Sequence, residues 1–340
     1  MFRATPMKLA GLNLIYQRSP DFTALLRAQS SDYLSIVGRH NQEFLGFASA
    51  SMSRRYVEDK LLRVGYLGDM RIQSSRLTSR LWRKAYPKLL QHLAADYFFT
   101  AIVAQNRTAK KNLVNQKRSS GFRYDFLKTV RMINLLARKP WSSGSRLLVR
   151  PAVQTDESNI RKLLTRFNKN VFLGYDFSEA EGNEWTHRQL HWPGWRLEDF
   201  LVLEKDKRIL AVTLPWAPTA IKRMMIDRCP WPFRILNQIS KFFGGKAVRA
   251  GENLSTLYLT HLAWDDSLTS REGAEAFAHW LFKNRHNHHI ISYAEQKHRQ
   301  KSSGAFVSFE FEIDLFSVRL ESQPPRQPVD GLVGFEMGIV

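Results

Sequence analysis

The sequence predicts an α/β chain of the α+β kind, two halves that each hold a mixed, mostly antiparallel sheet flanked by helices. Three observations predict it. Apolar strand-length runs alternate with amphipathic helical runs in one order in both halves, and the break KPWSSGSR separates them near residues 140–146. At 340 residues with 44% hydrophobic content, the chain also exceeds one usual domain and carries core material for two.

In the first half, DYLSIVGR and EFLGFASASM read as strands about a turn at residues 40–42. LLRVGYLGDMRI follows as an apolar strand, and QSSRLTSRLWRKAYPKLL as a Ser/Arg-rich turn and a basic helix. YFFTAIVAQN is a strand ending on Asn106, RTAKKNLV a second basic helix and GFRYDFLKTVRMINLLAR a last strand. In the second half, LLVRPAVQTDESNIRKLLTRF gives a strand and a helix capped near Thr155 or Asp156, with Glu157 in its first turn. FLVLEKD and ILAVTLPWA pair through a hairpin at residues 205–208, and LSTLYLTHLAW is the next strand. Residues 269–282 form a helix, HHIISYAE a strand and FVSFEFEIDLFSV a pair of strands. The expected boundaries are 1–140, 145–320 with a Pro/Trp/Arg-rich insert at 218–250, and a tail at 321–340 that is either poorly ordered or strapped on. The insert reads first as a helix packed on the second half; a membrane-surface amphipathic helix and a flap over a substrate site are the other readings.

Charge separates the halves. Residues 1–140 hold 25 Lys and Arg against 8 Asp and Glu, a balance of +17, while residues 141–340 hold 26 against 23, a balance of +3. The anionic partner therefore belongs mainly to the first half, and polyphosphate, an acidic carrier protein or nucleic acid all fit such a field, the alternative being a solvated basic surface with no partner. No apolar run reaches the roughly 18 to 20 residues that span a bilayer, and MFRATPMKLAGLNL lacks the core of a signal peptide, so a cytoplasmic protein without a transmembrane segment is expected. The single cysteine, Cys229, excludes an internal disulfide and a cysteine-rich zinc site, and reads as a buried small apolar residue. His187/His191 lacks the companion Glu of the zinc-protease pattern and His288/His289 opens a strand, so no metal site is expected.

The run from Leu61 to Arg138 resembles the acyl-CoA-binding half of the GNAT N-acetyltransferases, and the repeated strand and helix order resembles a tandem, two-domain member of that superfamily. The resemblance implies that pantetheine lies along the splayed strand at Met70 and Ile72, with the pyrophosphate on the backbone where the next helix begins. The family's phosphate loop, Q/R-x-x-G-x-G/A, corresponds to the stretch from Gln73 to Arg80. Arg76 matches the leading basic residue, Ser79 stands in the place of the first glycine, and Arg80 lies close by. Asn106, Ala109 and the pair Gly121-Phe122 follow in the family's order. The resemblance thus gives Asn106 a hydrogen bond to the pantetheine arm or a helix cap, and gives Lys110 the phosphate end of the cofactor. The family's acid Tyr has no counterpart, since Leu113 and Val114 stand near that position.

A general base for amine acylation is a carboxylate or ordered water beside the acyl carbonyl. Asp69, alone in an apolar strand where alternation groups it with Leu67 and Arg71, reads either as that base or as the ion-pair partner of an arginine; Glu43 is a second carboxylate for the role. In the second half, Asp265, Asp266 and Glu272 stand where a phosphate would sit, so that half reads as degenerate, with His261, Asp265 and Glu295 nearest its strand ends. Three function classes follow. They are an N-acyltransferase using acetyl-CoA or a longer acyl-CoA on an amine-bearing acceptor, a transferase fed by an acyl carrier protein or aminoacyl-tRNA, and a non-catalytic GNAT-like binding protein.

Overall fold

A computed structural model describes residues 7–9, 12–73, 75–115, 121–141, 147–284, 287–296 and 304–339. The first half runs β1 (Met7–Leu9), β2 (Leu12–Arg18), α1 (Ala24–Gln29), β3 (Asp32–His40), β4 (Glu43–Val57), β5 (Lys60–Ile72), α2 (Arg76–Leu93), β6 (Tyr97–Val103), α3 (Arg107–Ala109) and β7 (Phe122–Arg138). The second runs β8 (Leu148–Pro151), α4 (Glu157–Lys169), β9 (Gly174–Tyr175), α5 (Glu184–His191), β10 (Leu201–Lys205), β11 (Arg208–Trp216), β12 (Lys222–Arg228), α6 (Trp231–Phe242), β13 (Thr256–Trp264), α7 (Ser270–Asn284), β14 (Ile290–Gln296) and β15 (Phe306–Leu320).

Helix α2 shows how the sequence makes these elements. The Ser75 hydroxyl accepts the Thr78 N–H at 3.0 Å and starts the helix. Thr78, Trp82, Tyr86, Leu89, Leu90 and Leu93 then recur at helical spacing and face the sheet, packing on Ala48, Ala50 and Met52 of β4. Helix α7 covers the other half with small residues, Gly273, Ala274, Ala276 and Ala278, which let it lie close on its strands.

One sheet of 12 strands joins the halves, in the order β3-β4-β5-β6-β15-β7-β14-β13-β11-β10-β8, with β9 on β4. The final strands are exchanged. β15, from the end of the chain, pairs antiparallel with β6, and β7, from the end of the first half, pairs antiparallel with β14. FVSFEFEIDLFSV is therefore not a hairpin pair but part of one 15-residue strand, which pairs with β7 along its whole length. Its alternating apolar residues serve the cores of both halves, so no turn interrupts it.

The insert supplies β12, which pairs with β2 in a three-stranded sheet, β1-β2-β12. Helix α6 packs on β7 and β15 at the junction, where Phe233 meets Phe309 at 5.2 Å, instead of on the second half alone. The tail is strapped on. Val333 bridges Phe172, the Gly334 N–H donates to the Phe172 carbonyl at 2.7 Å, and a Cβ at Gly334 would meet the Leu173 carbonyl oxygen at 2.5 Å, so only glycine lets the strap lie this close. Cys229 is half-buried at the edge of the central core. No helix among the described residues is long and apolar enough to cross a membrane.

Candidate functional site

The site begins with a fault in a strand. β4 and β5 pair regularly until Ser49↔Gly68, then resume at Phe47↔Arg71, so Asp69 and Met70 together face Ala48 alone. This is a β-bulge, and Asp69 takes φ 55°, a conformation that Asp accepts more readily than most side chains. The alternation expected for Asp69 with Leu67 and Arg71 is broken here. At the same level β5 leaves its parallel neighbour: β5 and β6 pair only over Val64–Tyr66 and Tyr97–Phe99, with the Thr100 hydroxyl donating to the Leu67 carbonyl at 2.7 Å just beyond. A gap thus opens between the two strands beside the bulge.

Asp69 is held from two sides. The Ser49 hydroxyl donates to it at 2.9 Å, and Arg18, from β2, forms an ion pair with its other oxygen. The Arg18 side chain is 3% exposed and that of Asp69 14%, so the pair is shielded but reachable. Across the β2–β12 ladder, Arg18 stands directly opposite Lys222. Lys222 is buried, its Nζ 5.7 Å from the Tyr16 ring and 5.8 Å from the Tyr258 ring, and it donates to the Met337 carbonyl of the C-terminal strap at 3.0 Å. Burial, with the Arg18 charge beside it, brings the Lys222 amine down to about 7 against the opposing pull of Asp69. Burial pushes the phenols of Tyr16, Tyr66 and Tyr258 upward, so they stay neutral.

The other residues singled out by sequence lie around this centre at differing distances. Met70, the second residue of the bulge, and Ile72 beyond it pack toward α2. Arg76 opens α2, with its side chain outside the described residues; Ser79 and Arg80 are exposed on the first turns, and the Ser79 hydroxyl donates back to the Ser75 carbonyl. No acidic residue stands in that first turn, so the helix start favours an anion. Asn106 caps α3, its side-chain oxygen accepting the Ala109 N–H at 3.0 Å, and Lys110, in the π-helical turn Lys110–Val114, pairs with Asp314 at 2.5 Å. Glu43 is exposed at the hairpin end of β4 opposite His40, five residues from Ala48, or about 16 Å along the strand.

The second half repeats the bulge and closes it. β11 and β13 pair at Leu214↔Thr260 and next at Val212↔Ala263, and His261 lies in the bulge with φ 52°. Its N–H donates to Glu336 at 2.7 Å, and burial and the neighbouring Arg188 hold its imidazole well below the usual range. Arg188 is fully buried between Glu184 at 3.0 Å and Glu336 at 2.7 Å, over the rings of Tyr175 and Trp192. The gap between β13 and β14 retains a cavity of about 80 Å³, walled by residues 332–338 of the strap. At the start of α7, Glu272 and Thr269 form a capping box, the Glu272 carboxylate accepting the Thr269 N–H at 2.8 Å, so the anion position is filled from within. Asp265 is tied to Arg166 and Arg208, and Glu295 to Arg131.

No family model matches the chain, and no curated protein matches its sequence. Solved structures do match its fold. Saccharomyces cerevisiae N-myristoyltransferase with bound myristoyl-CoA aligns over 96% of this chain and 79% of its own, at 10% identity and a TM-score of 0.52. With two bulged strands, each parting from a parallel neighbour, that alignment decides the architecture. The fold is a tandem GNAT fold. A GCN5-related N-acetyltransferase from Anabaena variabilis aligns over 87% of this chain at 7% identity and a TM-score of 0.47. The present chain covers 66% of that protein, just under two thirds of its length. A probable N-acyltransferase from Enterococcus faecalis gives 7% identity, 89% and 66% coverage and a TM-score of 0.48.

Arg18 and Lys222 were not legible in the sequence as site residues. Each is one cation among 51, and only the pairing of β2 with β12 brings them to Asp69.

Proposed function

We propose that this GNAT-fold chain is an N-acyltransferase, moving an acyl group from acyl-CoA to an amine at the Asp69 bulge. One observation carries the reading: where β5 leaves β6, a carboxylate fixed by Arg18 and Ser49 lies in the same buried cluster as a lysine that titrates near neutrality. An amine attacks a thioester as the neutral base and loses a proton as the C–N bond forms, so a proton acceptor with a pKa near the working pH suits the step.

In this mechanism Asp69 accepts an N–H of the incoming amine and directs its lone pair at the thioester carbonyl carbon. The oxyanion forms against the backbone N–H that the bulge takes out of the β4–β5 ladder. The C–S bond then breaks and the thiolate leaves with the CoA moiety, while the proton from the nitrogen passes to neutral Lys222. The pyrophosphate of the donor lies at the start of α2, with Arg80 beside it, and Asn106 keeps its side-chain N–H₂ to donate to the pantetheine arm. An apolar groove of about 460 Å³ between α2 and the β3–β4 hairpin, lined by Ile36, Leu45, Leu81, Trp82 and Leu89, is within the roughly 300–1,000 Å³ of small-molecule sites and suits a longer acyl chain.

The outward face of α2 favours a second reading. Arg80, Lys84 and Lys88 are exposed along it, which suits an acyl carrier protein or aminoacyl-tRNA as donor. Calorimetric titration with acetyl-CoA and with a longer acyl-CoA, beside acyl-transfer assays, separates the readings. Binding by the native protein, with turnover lost and binding kept in Asp69→Asn, supports the first. No binding at about 1 mM CoA ester, with salt-sensitive binding of carrier protein or tRNA, moves the donor to the second. Neither response leaves a binding protein.

A further inference from the structure

Helix α6 faces the wrong way for a helix that only packs on its own protein. Phe233, Asn237 and Ser240 point into the fold. The opposite face, which a water-exposed helix fills with polar groups, carries Trp231, Ile235, Ile239 and Phe242 at helical spacing. Trp231 is 73% exposed and Phe242 82%. Trp141, also exposed, extends the patch, its ring 5.2 Å from that of Phe243. Single exposed apolar residues are ordinary, but a continuous stripe of large ones marks a surface that meets something.

The surrounding charge states what it meets. From Arg228 to Gly251 the chain holds five basic residues and no acidic one. Arg234 and Lys241 are exposed on α6 itself and flank the apolar stripe. Arg228 and Arg249, at the ends of the run, each stand 4.0 Å from an acidic neighbour, so the charge without an acidic partner is on Arg234 and Lys241 of the helix and on exposed Lys246 just beyond its end. Tryptophan and phenylalanine beside lysine and arginine on one helical face is the chemistry of an interfacial helix, whose apolar side enters the acyl boundary while its cations meet anionic headgroups. We propose that α6 docks this protein on an anionic bilayer surface, lying in the plane of the interface with Trp231, Ile235, Ile239 and Phe242 inserted.

The test is co-sedimentation of the full chain with vesicles of equimolar phosphatidylglycerol and phosphatidylcholine, beside vesicles of phosphatidylcholine alone. The native protein is expected to pellet with the anionic vesicles, more weakly with the neutral ones. Trp231→Ser/Phe242→Ser is expected to weaken binding to the anionic vesicles by about tenfold or more with an unchanged thermal midpoint, since both side chains are exposed. Arg234→Gln/Lys241→Gln is expected to weaken it and to flatten its salt dependence. Equal pelleting of native protein and the Trp231/Phe242 variant overturns the proposal, because net charge alone then holds the protein. Absence of pelleting overturns it as well. A native dimer that the same variant converts to monomer, without vesicle binding, assigns the face to a second copy of this chain instead.

Discussion

Asp69 and His261 stand at the same place in the two halves: each lies in the β-bulge, at φ 55° and 52°, of the strand that parts from its parallel neighbour. The backbone device is shared and the side chains around it are not. At Asp69 the bulge meets Arg18 and Lys222 beside an open gap; at His261 it meets Glu336 of the strap, and Arg188 is neutralised by two carboxylates. Under the proposed function, this asymmetry assigns acyl transfer to the first bulge and a structural part to the second.

Removing the Asp69 charge tests both of its roles. Asp69→Asn keeps a side chain suited to a left-handed conformation, yet leaves Arg18 buried without its counter-charge, which costs about 3 kcal/mol. Adding Arg18→Met is expected to restore most of that loss, while acyl transfer stays abolished. Urea unfolding of the two variants beside a transfer assay measures this. Activity persisting in Asp69→Asn would reduce Asp69 to an ion-pair residue.

The depressed Lys222 amine predicts a pH slope of definite sign. The native state releases this proton near pH 7 and the unfolded chain near 10.5, so between those values the unfolded state binds more protons and stability rises with pH. Below about pH 7 both states are protonated and the native state bears the whole cost of a buried ammonium beside Arg18, on the order of several kcal/mol. Lys222→Met is expected to raise stability at about pH 6.5 and to flatten the slope up to about pH 9. Buried His261 and His289 and half-buried His187 and His279, also held below their usual range, add a rise at lower pH, below the unfolded imidazole value of 6.5, and so lie outside this window. Chemical denaturation of both proteins across that range gives the comparison.

Local patterns made the strands and helices legible, because apolar period and capping residues act within a few positions. LLRVGYLGDMRI became β5 and QSSRLTSRLWRKAYPKLL became α2 with its Ser75 cap. What could not be read is set by long-range pairing. Nothing near Phe306 announces that β15 will insert between β6 and β7, since either partner satisfies the same alternation. A bulge is likewise invisible in GYLGDMRI, where simple alternation places Asp69 with Leu67. The insert showed its aromatic and basic composition, but not that Lys222 would face Arg18 on a strand more than 200 residues away in sequence.

Asn106 holds a cap with its oxygen and, in the proposed mechanism, offers its N–H₂ to the donor, and one substitution separates the two. Asn106→Asp keeps an oxygen for the Ala109 N–H and removes the side-chain donor. An unchanged thermal midpoint with several-fold weaker acyl-CoA binding is expected. Asn106→Ala loses both, with about 1 kcal/mol of stability gone as well. Unchanged binding in Asn106→Asp confines the residue to the cap.

The strap ties the two bulges together, and its loss is expected to reach both. Gly334 lies against Leu173, the Arg55 guanidinium reaches the Leu173 and Gly334 carbonyls, Glu336 holds His261 and Arg188, and the Met337 carbonyl accepts from Lys222. Gly334→Ala forces a Cβ into the Leu173 carbonyl, a clash worth about 1–3 kcal/mol. Glu336→Gln leaves Arg188 with Glu184 alone, and a buried guanidinium half-stripped of its charge partners costs about as much again. Only Gly334→Ala displaces the segment that holds Met337, so it is expected to lower both the thermal midpoint and the acyl-transfer rate, whereas Glu336→Gln lowers the midpoint and spares the rate. Equal loss of rate in both would mean that the strap acts on the first bulge through overall stability and not through Lys222.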